Sequence, residues 1–196
     1  MWRSQSVLLV VVACLSGCVL TPELPQIQTI LDQQSAVTVE SMGVPYVLAC
    51  AAGGLAANAR DYLDLRILES DRMGKRVYLM SLVAFSTVDR HGAANLTADN
   101  LGTVRLQLGK KQVELVALPD SDDAHGLSER VFARRNGQVR AAEYSVSPDL
   151  IREIAAVPVA EFAIDVGTGE DLRYDPWIPA ADGLKAMAER LPRNAH

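Results

Sequence analysis

Two short stretches carry the residue types from which a metal site or an acid–base pair is built. The first, "STVDRHG", holds Asp89, Arg90 and His91, and the second, "PDSDDAHG", holds Asp120, Asp122, Asp123 and His125. Both end in His-Gly. Brought side by side, they would offer two imidazoles and four carboxylates, a mixed nitrogen and oxygen set suited to a divalent cation. His91, His125, Asp89 and Asp123 are therefore the candidate ligands. Against that stands the register. "DSDDAHG" lacks the glutamate that closes a calcium-binding EF loop, and no H-E-x-x-H occurs. Asp, Ser and Gly also build ordinary turns. The expectation is solvated loops, with no metal and no other cofactor.

Nucleophilic chemistry finds less to work with. There is no G-x-S-x-G, and Ser81 and Ser86 lie in or beside an apolar strand where a hydroxyl serves the backbone. Cys50, in "VLACAAGG", has apolar neighbours and reads as a buried, inert thiol. Beyond His91 and His125 there is one further histidine, the terminal His196, so acid–base candidates are scarce. The chain is expected not to be an enzyme, a hydrolase of unknown type being the remote alternative. Trp177 and Tyr174, in "YDPWIPA", are the candidate interaction residues, because Trp and Tyr anchor protein interfaces. The competing reading of Trp177 is a cover over the core where the last strand meets the C-terminal helix.

The elements around these residues read as α+β. "DYLDLRILE" alternates from Asp61, a half-buried strand, and Val77 to Phe85, "VYLMSLVAF", is apolar on both faces, as a central strand must be. "TVRLQL" and "QVELVAL" flank a short hairpin turn at Gly109-Lys110-Lys111, and "ERVFARR" and "QVRAAEYSV" flank Asn136-Gly137, a two-residue hairpin signal. The period then changes. Ser147 caps a helix that starts at Pro148 with Asp149 in its first turn, and Pro158 ends it. "VAEFAIDVG" and "DLRYDPWI" return to paired strands. Leu184, Met187, Ala188 and Leu191 mark a last amphipathic helix. The fold class is therefore α+β, a mainly antiparallel sheet or open sandwich with two short amphipathic helices near the C-terminus.

The first eighteen residues determine where such a domain works. Arg3 supplies a positive charge, Val7 to Leu15 is an unbroken apolar run, and small residues precede Cys18. This is the layout of a secretory signal, too short to cross a hydrocarbon core. "LSGC", Leu15 to Cys18, resembles the lipobox of bacterial lipoproteins. The resemblance implies cleavage before Cys18, a diacylglyceryl group on its thiol and an acylated amine, a stable anchor because more than one chain is buried. It also implies residues 1–17 as signal peptide and, with Val19 rather than Asp after the cysteine, the periplasmic face of the outer membrane over the inner membrane. Residues 18–44, rich in Gln, Ser and Thr with two early prolines, read as a lipidated tether with a short helix near Gln26 to Gln33. Residues 45–196 read as a single β-rich periplasmic domain. More loosely, "RDYLDL", "YLMSLVAFSTVDR" and "YSVSPDLIREIAAVPVAEFAI", within residues 61–190, resemble uncharacterised proteobacterial lipoproteins, a likeness that implies no activity.

Without residues 1–17 the chain keeps 18 Lys and Arg against 24 Asp and Glu, a net charge of −6. That balance excludes ordinary nucleic-acid binding and electrostatic docking on anionic lipid. The expected partners are the membrane, through the Cys18 lipid, and an envelope protein. The expected role is a lipid-anchored, non-enzymatic interaction or assembly factor. The alternative is a periplasmic module for a metal, a small ligand or a cell-wall fragment.

Overall fold

The computed structural model describes residues 26–50, 61–86, 101–119, 140–167 and 172–192. Ten strands carry most of these residues: β1 (Ile27–Asp32), β2 (Val37–Met42), β3 (Tyr46–Cys50), β4 (Asp61–Arg72), β5 (Lys75–Ser86), β6 (Thr103–Leu108), β7 (Lys111–Val116), β8 (Arg140–Ser145), β9 (Phe162–Val166) and β10 (Leu172–Ile178). Two helices, α1 (Pro148–Ala156) and α2 (Ala181–Arg190), follow β8 and β10, and a 3₁₀ turn covers Val159–Glu161. All described strand pairs are antiparallel, in one sheet that curls into a half-barrel. The class is α+β, as the periodicity indicates.

β4 organises the sheet. One edge pairs with β5 along its whole length, from Asp61 opposite Ser86 to Arg72 opposite Lys75. The other edge meets β3 at Tyr62 to Leu65 and β2 at Leu68 to Arg72. Between them Met42 to Pro45 sit against only Arg66 and Ile67, so the incoming strand bulges. Arg66 supports the bulge by donating from Nη1 to the carbonyls of Met42 and Gly43, at 2.8 and 3.1 Å. Pro45, which has no N–H to offer a ladder, falls where pairing lapses. From β3 the order continues through β10, β9 and β6 to β7. On the opposite side β5 pairs with β8. Leu118, just beyond β7, donates its N–H to the Glu143 carbonyl on β8 at 2.7 Å, so the two ends of the curl touch.

The concave face holds the main core. Leu63, Leu65 and Ile67 of β4, Met80 and Leu82 of β5, Leu106 of β6 and Ile164 of β9 join Leu150, Ile151 and Ile154 of α1 and Leu184 and Met187 of α2. Tyr144 crosses this core and donates to the Leu101 carbonyl at 2.6 Å. A smaller cluster on the convex face joins Val37, Val39, Leu68 and Leu79. Apolar residues on both faces of β5 put it in the middle of the sheet, where it lies. α1 begins as its sequence predicts, Ser147 Oγ accepting from the Leu150 N–H at 3.1 Å. At Gly109 φ is +63°, a left-handed conformation that glycine adopts without strain.

One expectation fails. The segment read as a tether with a helix at Gln26 to Gln33 is the β1–β2 hairpin, and β2 is an inner strand between β1 and β4. The sheet therefore begins at Ile27, not at residue 45. The turn forms because Asp32 gathers it locally: its Oδ1 accepts from the Gln34 N–H at 3.0 Å and its Oδ2 from the Ser35 hydroxyl at 2.7 Å. The side chains of β2 then alternate, Val37 and Val39 to the convex cluster and Met42 to the concave core.

A charged cleft at the hairpin tips

Along β4 the concave-facing residues change character. Leu63, Leu65 and Ile67 are followed on the same face by Glu69 and Asp71. The apolar core thus ends, and a cleft of about 630 Å³ opens, lined by Thr38, Glu40, Glu69, Asp71, Arg76 and Arg190 with the turn residues Ala36, Met73 and Gly74. Four elements build it. β2 supplies Thr38 and Glu40, β4 the two acids, β5 Arg76, and the last turn of α2 Arg190.

Glu40 and Glu69 are direct cross-strand partners, so two carboxylates share a face at the separation where like charges repel. Glu69 is buried. Arg76 answers it with a 3.3 Å ion pair and reaches Asp71 at the same distance. Arg190 pairs with Glu40. Burial still outweighs the guanidinium, and the Glu69 carboxyl titrates above its ordinary range, with the Glu40 and Asp71 charges pushing the same way. Tyr78, opposite Glu69 on β5, is raised by its own burial and by the Glu69 charge. Three carboxylates face two guanidiniums, which leaves the cleft one negative charge.

The rim is strained. Among the described residues the non-glycine positions with positive φ are Ala36, at +55°, and Met73, at +54°, and both line this cleft. Met73 and Gly74 are the two central residues between Arg72 and Lys75, a tight hairpin turn that needs positive φ twice. Asn or Gly suits the first position. Met73 occupies it with 94% of its surface in solvent, and Leu31, opposite Thr38 on β1, is 61% exposed.

None of the sequence-derived candidates among the described residues lines this cleft. Cys18, Asp89, His91, Asp123 and His125 fall outside the described residues. Among the described residues no group of three or more His, Cys, Asp and Glu is arranged to hold a metal ion, and no helix is long and apolar enough to cross a membrane. Tyr174 and Trp177 separate. Tyr174 is wholly buried on the concave side opposite Cys50, so it is a core residue and not a surface anchor, and burial raises its phenol strongly. Trp177 stays 50% exposed at a register shift in β10, edge-on to Tyr62, which stacks on Phe85. Cys50 is partly buried against the concave core. The cleft was not anticipated. Its one local signal was "RMGK", a hairpin turn with methionine where asparagine is the favoured residue.

No protein-family model, curated protein or solved structure matches this chain.

Proposed function

We propose that this chain is a lipid-anchored envelope protein that holds a protein partner at the charged cleft and does no chemistry on it. One observation carries the reading. Among the described residues, the two left-handed non-glycine positions, the opposed Glu40–Glu69 pair and the most exposed large apolar side chain, Met73, all meet around one cleft. Backbone strain and broken local rules gather where function overrides stability. Exposed Met and Leu beside a desolvated, charge-paired floor is the composition of a recognition spot, apolar anchors next to groups that confer register. The ion pairs that Arg76 and Arg190 make with the cleft's carboxylates hold these groups in fixed positions, which supports recognition of a partner's charges. The excess carboxylate favours a partner surface with a basic side chain to contribute.

The anchor enters this reading through Cys18 and the lipobox likeness. Lipid on Cys18 concentrates the domain on a membrane surface, periplasmic and of the outer membrane by the residue at position 19, where its partners are envelope proteins. A photo-crosslinking residue placed at Met73 or Leu31 in living cells tests the proposal. It should yield one discrete adduct with an envelope protein that is missing when the same residue replaces Val116, an exposed position on β7. Adducts only with lipid and abundant bystanders, equal at all three positions, would refute it.

A further inference from the structure

The first described residue, Gln26, enters the sheet at a defined place. Its carbonyl accepts from the Gly43 N–H at 2.9 Å, at the bulge between β2 and β3. The same carbonyl lies 3.8 Å from where a Cβ on Gly183 of α2 would be. β1 and β10 share this edge of the β2–β3 strand, on either side of the bulge, because β1 pairs with residues 37–42 and Ile178 sits opposite Val47. Gln26 thus emerges between Val44, the end of β10 and the start of α2. The exposed apolar side chains here are Val44, Trp177 and Ile178, the last 55% exposed.

Only residues 19–25 separate Gln26 from Cys18. A fully extended chain of that length reaches roughly 28 Å, and Pro22 and Pro25 leave little slack to fold back. We propose that the edge bearing Val44, Trp177 and Ile178 rests on the bilayer, with Trp177 in the headgroup region. The proposal rests on the reading that Cys18 is acylated. An anchor this short holds the edge near the lipid whatever the domain does, and an indole next to aliphatic groups is the composition that partitions into the interface. On β10 next to Trp177, Arg173 and Asp175 neutralise each other at 2.9 Å, and the exposed Asp182 at the start of α2 can stay in the hydrated headgroup layer. With a net charge of −6 on the mature chain, contact is apolar and needs no anionic lipid. The orientation also leaves the cleft free. β1 and β2 run from this edge to their turn over six residues, so Ala36 stands on the order of 20 Å away, at the end that faces the periplasm.

The mature acylated chain in phosphatidylcholine vesicles provides the test. Loss of residues 1–17 removes Trp2, so Trp177 is the sole fluorophore of its kind, and Trp177→Phe verifies the assignment. Emission should shift to the blue relative to detergent and lose most of its intensity when the lipids are brominated near the headgroup, equally with and without phosphatidylglycerol. Full emission in brominated vesicles, with mass spectrometry showing the acylated Cys18, would overturn this orientation and leave the anchor standing. An unacylated Cys18 would overturn both. A crosslinker replacing Trp177 that captures an envelope protein and no lipid would also overturn it, by making this edge a protein interface.

Discussion

Replacing Met73 by asparagine should make this protein more stable and less useful to its partner. At φ +54° a residue with a Cβ crowds its own carbonyl, at a cost of about 1–2 kcal/mol. Asparagine tolerates the left-handed region far better. Little is lost in exchange, because Met73 has 94% of its surface in water and its thioether contributes almost nothing to the core. The neighbouring turn bond, Gly74 N–H to Asp71 Oδ1 at 2.7 Å, does not involve the side chain. The net gain should be about 0.5–1 kcal/mol, or roughly 1–4 °C in Tm for a chain of this size. Thermal and urea unfolding of the mature chain, alongside Met73→Ala, gives the measurement. Alanine keeps its Cβ and therefore the strain, so it should leave Tm nearly unchanged. Crosslinking of the partner through Leu31 should weaken in both variants. If Met73→Asn is no more stable than Met73→Ala, the strain argument is wrong, and the reason for placing function at this turn goes with it.

Further outcomes follow from the polar groups. Tyr144→Phe removes the donor to the buried Leu101 carbonyl and should cost about 1–2 kcal/mol in urea unfolding. Tyr174→Phe should be neutral or slightly stabilising, since the Tyr174 hydroxyl is buried with no hydrogen-bond partner among the described residues. Ser147→Ala takes the cap from α1 and should cost about 1 kcal/mol, visible as a lower urea midpoint. The pH profile should show Glu69. Its folded carboxyl titrates above the ordinary value of 4.5, so its contribution to stability is fully present below that pH and is lost as pH rises through the folded value. Relative to Glu69→Gln, the wild type should therefore lose stability between about pH 4.5 and neutrality. Arg76→Ala, which removes the carboxyl's compensating charge, should steepen that loss. A difference between wild type and Glu69→Gln that stayed flat with pH would contradict the assignment.

How much of this was readable from residues alone follows from the range of each signal. The cap at Ser147, the hairpin at Gly109 and the two-faced apolar β5 are written within a few neighbouring positions, and each stands where its pattern indicates. The β1–β2 hairpin was missed because Gln, Ser and Thr dominate residues 26–42 and resemble a solvated linker. The period of two in Val37, Val39 and Ser41 is short, and it becomes a strand only through pairing with β4, some thirty residues on. The cleft is harder still. Glu40 meets Glu69 across the sheet and Arg190 across 150 residues, and no window along the chain contains that arrangement. Trp177 and Tyr174, three positions apart, look like one aromatic spot in sequence. An odd spacing along β10 points them to opposite faces of the sheet, Tyr174 to the core and Trp177 to solvent.

The function proposed here and the orientation on the bilayer both begin at Cys18. The most direct measurement is mass spectrometry of the amino-terminal peptide from protein isolated from membranes of the native cell. The chain should start at Cys18, with a diacylglyceryl group on sulfur and an acyl chain on the amine. A free thiol at that position, or residues 1–17 still attached, would contradict it.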